Sequence, residues 1–184
     1  MFKSNYFKLV MKLNKVKFGK NLNLYGVPVI FKKKGSELNI GENCTINSSF
    51  LSNLVGLSQR TIIVTRTDEA KINIGNNVGI SGATIYARKG ISIGDNTLIG
   101  GNVKILDNDF HPIKVEDRNL DIKEKIGIKE IRIGKDCFIG ANSLILKGVE
   151  IGDGSVVGAG SVVTGKFPGN VVIAGNPARV IKEL

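Results

Sequence analysis

"IGKDCFIGANSLILKGVEIGDGSVVGAGSVVTGKFP", residues 133–168, carries an aliphatic side chain at every sixth position: Ile133, Ile139, Ile145, Ile151, Val157 and Val163. The next position is often glycine. The fifth is small or apolar, at Cys137, Ser143, Val149, Ser155 and Ser161. Neither an α-helix nor a hairpin explains a strict period of six. A strand alternates in and out with period two, so one repeat buries at most its first, third and fifth side chains. If each hexapeptide ends in a turn, three of them close a three-sided coil of 18 residues. Successive coils then stack at about 4.8 Å, and the aliphatic positions become inward ladders. The glycine after the aliphatic residue is expected to supply backbone angles that a Cβ would obstruct. Cys44 and Cys137 fall at the fifth, inward position and are read as packing groups.

Earlier copies share the phase. IGDNTL, IGGNVK and ILDNDF put Ile93, Ile99 and Ile105 in register, and IGENCT at Ile40 and IGNNVG at Ile74 are further repeats. The solenoid is therefore expected over residues 36–170, with a basic segment over 1–35 and a short terminal segment over 171–184. Two stretches break the pattern, at 49–70 and 112–130, and are read as loops. Between Gly79 and Ala87 the repeat slips by one residue, which suggests a bulge or bent corner. Long excursions in compact folds are usually functional.

Composition bounds the function. A chain of 184 residues with 23 glycines and no tryptophan suits tight turns and small buried side chains. The cysteines match no metal or redox spacing, and two lone thiols without a secretory signal point to a reducing, cytoplasmic setting. No apolar run reaches a membrane span. The net charge of +10 is concentrated at the front: residues 1–34 hold nine lysines and no acid. No nucleic-acid motif accompanies this charge, so nucleic acid is not the expected partner. On a helical wheel Phe2, Tyr6, Leu9, Val10 and Leu13 share one face, with Lys8, Lys12 and Lys15 roughly opposite. That pattern fits a cap on the first coil, or a peripheral helix on an anionic membrane.

The single histidine stands in "ILDNDFHPI", residues 105–113. It lies where a coil ends and the second excursion leaves, beside Pro112. A neutral imidazole there can take the proton of an attacking nucleophile at neutral pH. Alternation along an extended strand would send Asp107, Asp109 and His111 to one side, so either aspartate could fix the imidazole's tautomer.

The hexapeptides, with "GISGATIYARKGISIGDNTLIGGNVKILDNDFHPI" and the ending "VVIAGNPARVIKEL", resemble the hexapeptide-repeat acyltransferases, and among them bacterial sugar and polysaccharide O-acetyltransferases. The resemblance covers residues 36–184. It implies an all-β, left-handed parallel β-helix; the usual right-handed crossover rule would have given the opposite hand. It implies transfer from acetyl-CoA to a sugar or glycan hydroxyl, with His111 as general base, and no metal. A zinc enzyme of this fold would need three histidines. The resemblance places backbone amides for the thioester and pantetheine at Ala141 and Ala159, continued by Thr164, Gly165 and Lys166, with Arg179 and Lys182 for the CoA phosphates. Phe138 stands where relatives often carry Trp beside the channel. Near Ser81 the acceptor-orienting Asn of small-sugar relatives is absent. A homotrimer with CoA grooves between subunits is also implied. An N-acetyltransferase is the alternative enzyme, and a purely structural solenoid the non-enzymatic one.

Overall fold

The computed structural model describes residues 2–184, with side chains from residue 5 onward. Three parallel sheets form the faces of a prism. The first face runs from Lys17–Phe18 to Lys166–Phe167, the second from Asn23–Tyr25 to Val171–Gly175, and the third from Val29–Lys32 to Val162–Val163. The chain visits the faces in turn, so every strand pairs with the equivalent strand one coil away. The strand Ala178–Glu183 folds back antiparallel on Val171–Gly175 and closes the second face.

The ladders run as the period requires. On the second face Leu24, Ile46, Ile80, Ile99, Ile139, Val157 and Ile173 are in register. On the third, Ile30, Ile63, Ile85, Ile105, Ile145 and Val163 line up. Ile133 faces Ile151 on the first. From Ile46 to Ile173 these second-face side chains are all buried. Each fully buried aliphatic side chain contributes about 1.5–3 kcal/mol of transfer free energy.

The turns are explained differently from the sequence expectation. Gly94, Gly100 and Gly140, which follow the aliphatic residues, do not have left-handed φ angles. Their need for glycine is contact: a Cβ on Gly140 would lie 2.5 Å from the Ala159 nitrogen, and one on Gly94 2.5 Å from that of Lys135. The left-handed residues come later in the turn. At the corner between the first and second faces they are Asn21, Asn43, Asn77, Asn96, Asp136, Gly154 and Asn170. Asparagine tolerates this region because its short amide can bond locally. Here the side chains also bond along the stack, from Asn77 to Asn96 at 2.9 Å and from Asn96 to Asp136 at 2.8 Å. The residue after the glycine adds a second ladder: Asp95 accepts from the Asn76 N–H and Asp153 from that of Lys135. The fifth-position thiols are buried as expected; Cys44 points at the Gly75 carbonyl at 3.1 Å, and burial raises its pKa.

The solenoid begins earlier than the hexapeptides. Lys17–Phe18, Asn23–Tyr25 and Val29–Lys32 already pair with the second coil, so residues 17–32 form a coil where a separate basic segment was expected. Ile62–Thr65 likewise is a third-face strand, which shortens the first excursion. The slip is resolved at Gly82, at φ +54, where a Cβ would crowd Leu57 and the Gln59 carbonyl of that excursion. The helix α1 (Phe2–Leu13) precedes the first coil. Met11 enters the core and Phe7 packs against it, while Tyr6, Leu9 and Leu13 stay exposed. The capping face is thus not the apolar face read from the wheel; Phe2, placed on that face, lies outside the residues whose side chains are described.

Candidate active site

The strand Lys104–Leu106 ends just before the aspartates, and the chain then leaves the coil through a narrow neck. Asp109 N–H donates to Gly127 O and Lys129 N–H to Asp107 O, both at 3.0 Å. Between the sides of this neck the excursion holds the short helix α2 (Val115–Asn119) and a 3-10 turn at Lys123–Lys125. Arg118 ties the loop to its own start, donating to the carbonyls of Pro112 and Ile113. Phe110 is left-handed, at φ 63. The 107–111 stretch is therefore a turn, and the alternation expected of an extended strand does not apply there.

This turn gives the two aspartates different tasks. Asp107 is fully buried, and its carboxylate accepts the backbone N–H groups of Arg88, Lys89 and Gly90 at 2.7–3.0 Å. Asn108 adds a side-chain donor at 3.1 Å. Such a nest satisfies three backbone donors and anchors the turn to the coil below. It occupies Asp107 completely, so the structure does not support a bracing role for it. Asp109 Oδ1 accepts from Lys147 Nζ at 2.6 Å, while its Oδ2 is buried without a partner. Gly127 makes room for that oxygen, because a Cβ there would collide with it. Neither carboxylate holds the imidazole in this arrangement, and Asp109 retains the free oxygen.

His111 is exposed and lines a cavity of about 480 Å³ with Arg66, Tyr86, Arg88, Phe110 and Lys123. The remaining predicted residues lie elsewhere on the protomer. Ala141 and Ala159 occupy stacked turns at the corner between the second and third faces, where the Gly160 N–H donates to Ala141 O. Thr164 and Gly165 follow the third-face strand Val162–Val163, and Lys166 opens the first-face strand Lys166–Phe167. Lys166 is paired with Glu150 at 2.7 Å. Arg179 and Lys182 belong to the antiparallel edge strand Ala178–Glu183, and Arg179 donates to its neighbour's carbonyl, Ala178 O, at 2.8 Å. Ser81 and Phe138 line a second cavity of about 410 Å³ on the outer second face.

That second cavity holds what sequence reasoning missed. Ser81 Oγ is met by the side-chain amides of Asn47, at 3.0 Å, and Asn53, at 3.1 Å. One asparagine comes from the coil below and the other from the first excursion. Amide side chains thus reach Ser81 in space although no asparagine stands beside it in the sequence. No local signal joins residues 34 and 28 positions away; only the coil period, Ile46 to Ile80 across the gap, could have suggested Asn47.

A family model for the hexapeptide repeat of succinyl-transferase matches residues 90–118 and 130–165. Over 171 residues the chain is 31% identical to "Putative lipopolysaccharide biosynthesis O-acetyl transferase WbbJ" of Escherichia coli (strain K12), covering 90% of this chain and 81% of that one. The chain belongs to the hexapeptide-repeat acetyltransferase family. Its fold is that family's left-handed parallel β-helix. A galactoside O-acetyltransferase of the same organism is 42% identical over 116 residues, which are 62% of this chain and 55% of that protein. The chain thus spans about half the length of that relative. A solved galactoside acetyltransferase in complex with coenzyme A is 30% identical with a TM-score of 0.60, over 96% of this chain and 68% of that one.

Proposed function

We propose that the protein transfers acetyl from acetyl-CoA to a hydroxyl of a sugar or surface-glycan precursor, with His111 as general base. The observation that carries this reading is the sole histidine, exposed at the edge of a cavity where the excursion leaves the coil. An imidazole nitrogen takes the hydroxyl proton as the oxygen attacks the thioester carbonyl. The tetrahedral oxyanion is held by a backbone N–H, for which Ala141 is the candidate. Collapse breaks the carbon–sulfur bond, and the CoA thiolate takes the proton back from the imidazolium. Asp109, through its free Oδ2, is the candidate to steady the ring. Thr164, Gly165, Lys166, Arg179 and Lys182 are proposed to follow the cofactor's pantetheine and phosphates.

A single protomer keeps His111, beyond the third-face strand Lys104–Leu106, apart from the Ala141–Ala159 corner and the Ser81–Phe138 cavity, which adjoin each other through Gly100. We therefore read the active unit as a homotrimer in which His111 of one protomer works beside the second face of its neighbour. The test is steady-state thiol release with CoA binding followed separately. His111→Ala should leave acetyl-CoA affinity nearly unchanged and slow transfer by about 10²–10⁴-fold. Transfer at the parental rate would remove the mechanism.

We further infer that α1 rests on an anionic membrane surface, at the cytoplasmic side. No helix among the described residues is long and apolar enough to cross a membrane. Yet Tyr6, Leu9 and Leu13 form one exposed stripe on a helix followed by a lysine-rich coil, which suits interfacial binding. Leu9→Glu with Leu13→Glu should abolish sedimentation with vesicles containing phosphatidylglycerol at low salt. Parent protein that stays in the supernatant would leave α1 as a cap alone.

A further inference from the structure

The cavity beside His111 carries information about the acceptor that the transfer chemistry does not. Tyr86 and Phe110 form one wall, with ring centroids 4.9 Å apart and planes tilted by 52°. Such a wall suits the C–H face of a pyranose. Around it stand three cations, Arg66, Arg88 and Lys123, and one carboxylate, Asp121. Lys123 is already paired with Asp121, at 3.5 Å. Among the described residues neither arginine has a carboxylate within ion-pairing distance. Asp68 and Glu69 line only the adjoining cavity, which shares Arg88. Arg88 is half-buried, and its Nε is buried without a hydrogen-bond partner. Only this one nitrogen of the guanidinium is buried, and a buried donor left without an acceptor is costly. The guanidinium's planar fork matches the oxygens of a carboxylate or a phosphate.

We propose that the acceptor is anionic: a sugar bearing a carboxylate or a phosphate, held by Arg66 and Arg88. Its ring lies against Tyr86 and Phe110, and a hydroxyl is presented to His111. The anionic group binds and is not consumed, so the transfer step is unchanged. The proposal rests on the reading of His111 as the base, and its own test is binding.

Isothermal titration of the intact protein would compare methyl β-galactoside, methyl galacturonide and galactose 1-phosphate. Both anions are expected to bind roughly 10-fold to 100-fold more tightly than the neutral sugar, the range of a charge-assisted hydrogen bond. The tighter of the two identifies the source as sugar acid or glycosyl phosphate. Arg66→Gln and Arg88→Gln should each collapse most of that preference, and Arg88→Lys should keep part of it. Arg66 is exposed, so its variant tests the pocket without threatening the fold. Equal binding of all three sugars, binding of none, or a preference that survives both glutamine variants would overturn the proposal. An anion preference retained in a His111→Ala protein that still transfers at the parental rate would keep this pocket and remove the base. The converse, lost transfer without any anion preference, would keep the base and remove the pocket.

Discussion

The coils from Ile131 to Phe167 and the turn from Asp107 to Lys129 solve the same problem in opposite ways. Each must carry the chain from one face to the next and satisfy the backbone groups exposed there. In the late coils this takes two to four residues, and like chemistry is stacked on itself: Asn, Asp or Gly in the left-handed position, glycine where coils touch, a small polar group facing a carbonyl. At Asp107 the corner is instead opened by an excursion of about twenty residues. One buried carboxylate then does what the stacked turns did, gathering three N–H groups from the coil below. Among the described residues the regular corners leave no buried side-chain nitrogen or oxygen without a partner. The opened one leaves several, namely Asp109 Oδ2, Arg88 Nε and an exposed imidazole. Stability is concentrated in the first region and chemical capacity in the second.

The comparison breaks most visibly in the ladder. Ile139 is fully buried between Ile99 and Val157. Ile139→Asp would place a charge there without a partner, or force its protonation, at a cost of several kcal/mol. At roughly 2–4 °C per kcal/mol for a chain of this size, the thermal midpoint should fall by about 10 °C or more. A variant melting with the parent would show that the ladder does not carry the coil.

Next in size is the pair of aspartates, which separates anchoring from chemistry. Asp107→Asn replaces an oxygen by an amide that cannot accept the N–H groups of Lys89 and Gly90. Leaving buried donors unsatisfied should cost about 2–4 kcal/mol, visible in the midpoint and in faster amide exchange at 88–90. Asp109→Asn keeps the side chain's shape and loses only the charge of the ion pair with Lys147, with no backbone donor stranded, so it should cost less than Asp107→Asn. Its effect should appear in kcat, with KM for acetyl-CoA retained, because the remaining free oxygen is its contribution. If Asp107→Asn were the variant with normal stability and impaired turnover, the two assignments would be exchanged.

What could be read in the sequence follows the same division. The ladders at Ile133–Val163 and Ile93–Ile105 were legible because period six is enforced by identical neighbours above and below. The first coil, residues 17–32, was not. It has one neighbour only, so Phe18 and Ile30 can depart from the hexapeptide and still pair with Ile40 and Ile63. His111 stood out by being unique. The nest around Asp107, the Asn47–Asn53–Ser81 cluster and the Arg66–Arg88 pair did not, because each joins residues one coil apart with no local mark. The wheel of α1 failed for a related reason. Its amphipathicity is real, but Met11 and Phe7 are the residues the first coil leaves room for.

The smallest expected effect lies on the outer surface of the regular coils, where cross-strand ion pairs decorate the first face. Glu37 and Lys71 are opposite each other in register and meet at 2.8 Å. Both are exposed, so solvent screening keeps the contribution small. The lysine beside it lowers the Glu37 pKa below its ordinary 4.5, and Glu37 raises that of Lys71 above 10.5. A lowered carboxylate pKa gives stability that is present above about pH 4.5 and lost as pH falls through the folded value. A raised lysine pKa gives stability present below about pH 10.5 and lost as pH rises through the folded value. The pair therefore acts only between those limits. Glu37→Gln should lower the thermal midpoint slightly at pH 7 in low salt, with the difference from the parent shrinking below pH 4.5 and in high salt. A difference as large as that of Asp107→Asn, or one that grew on acidification, would mean that the regular faces draw more from their surface than from the ladder.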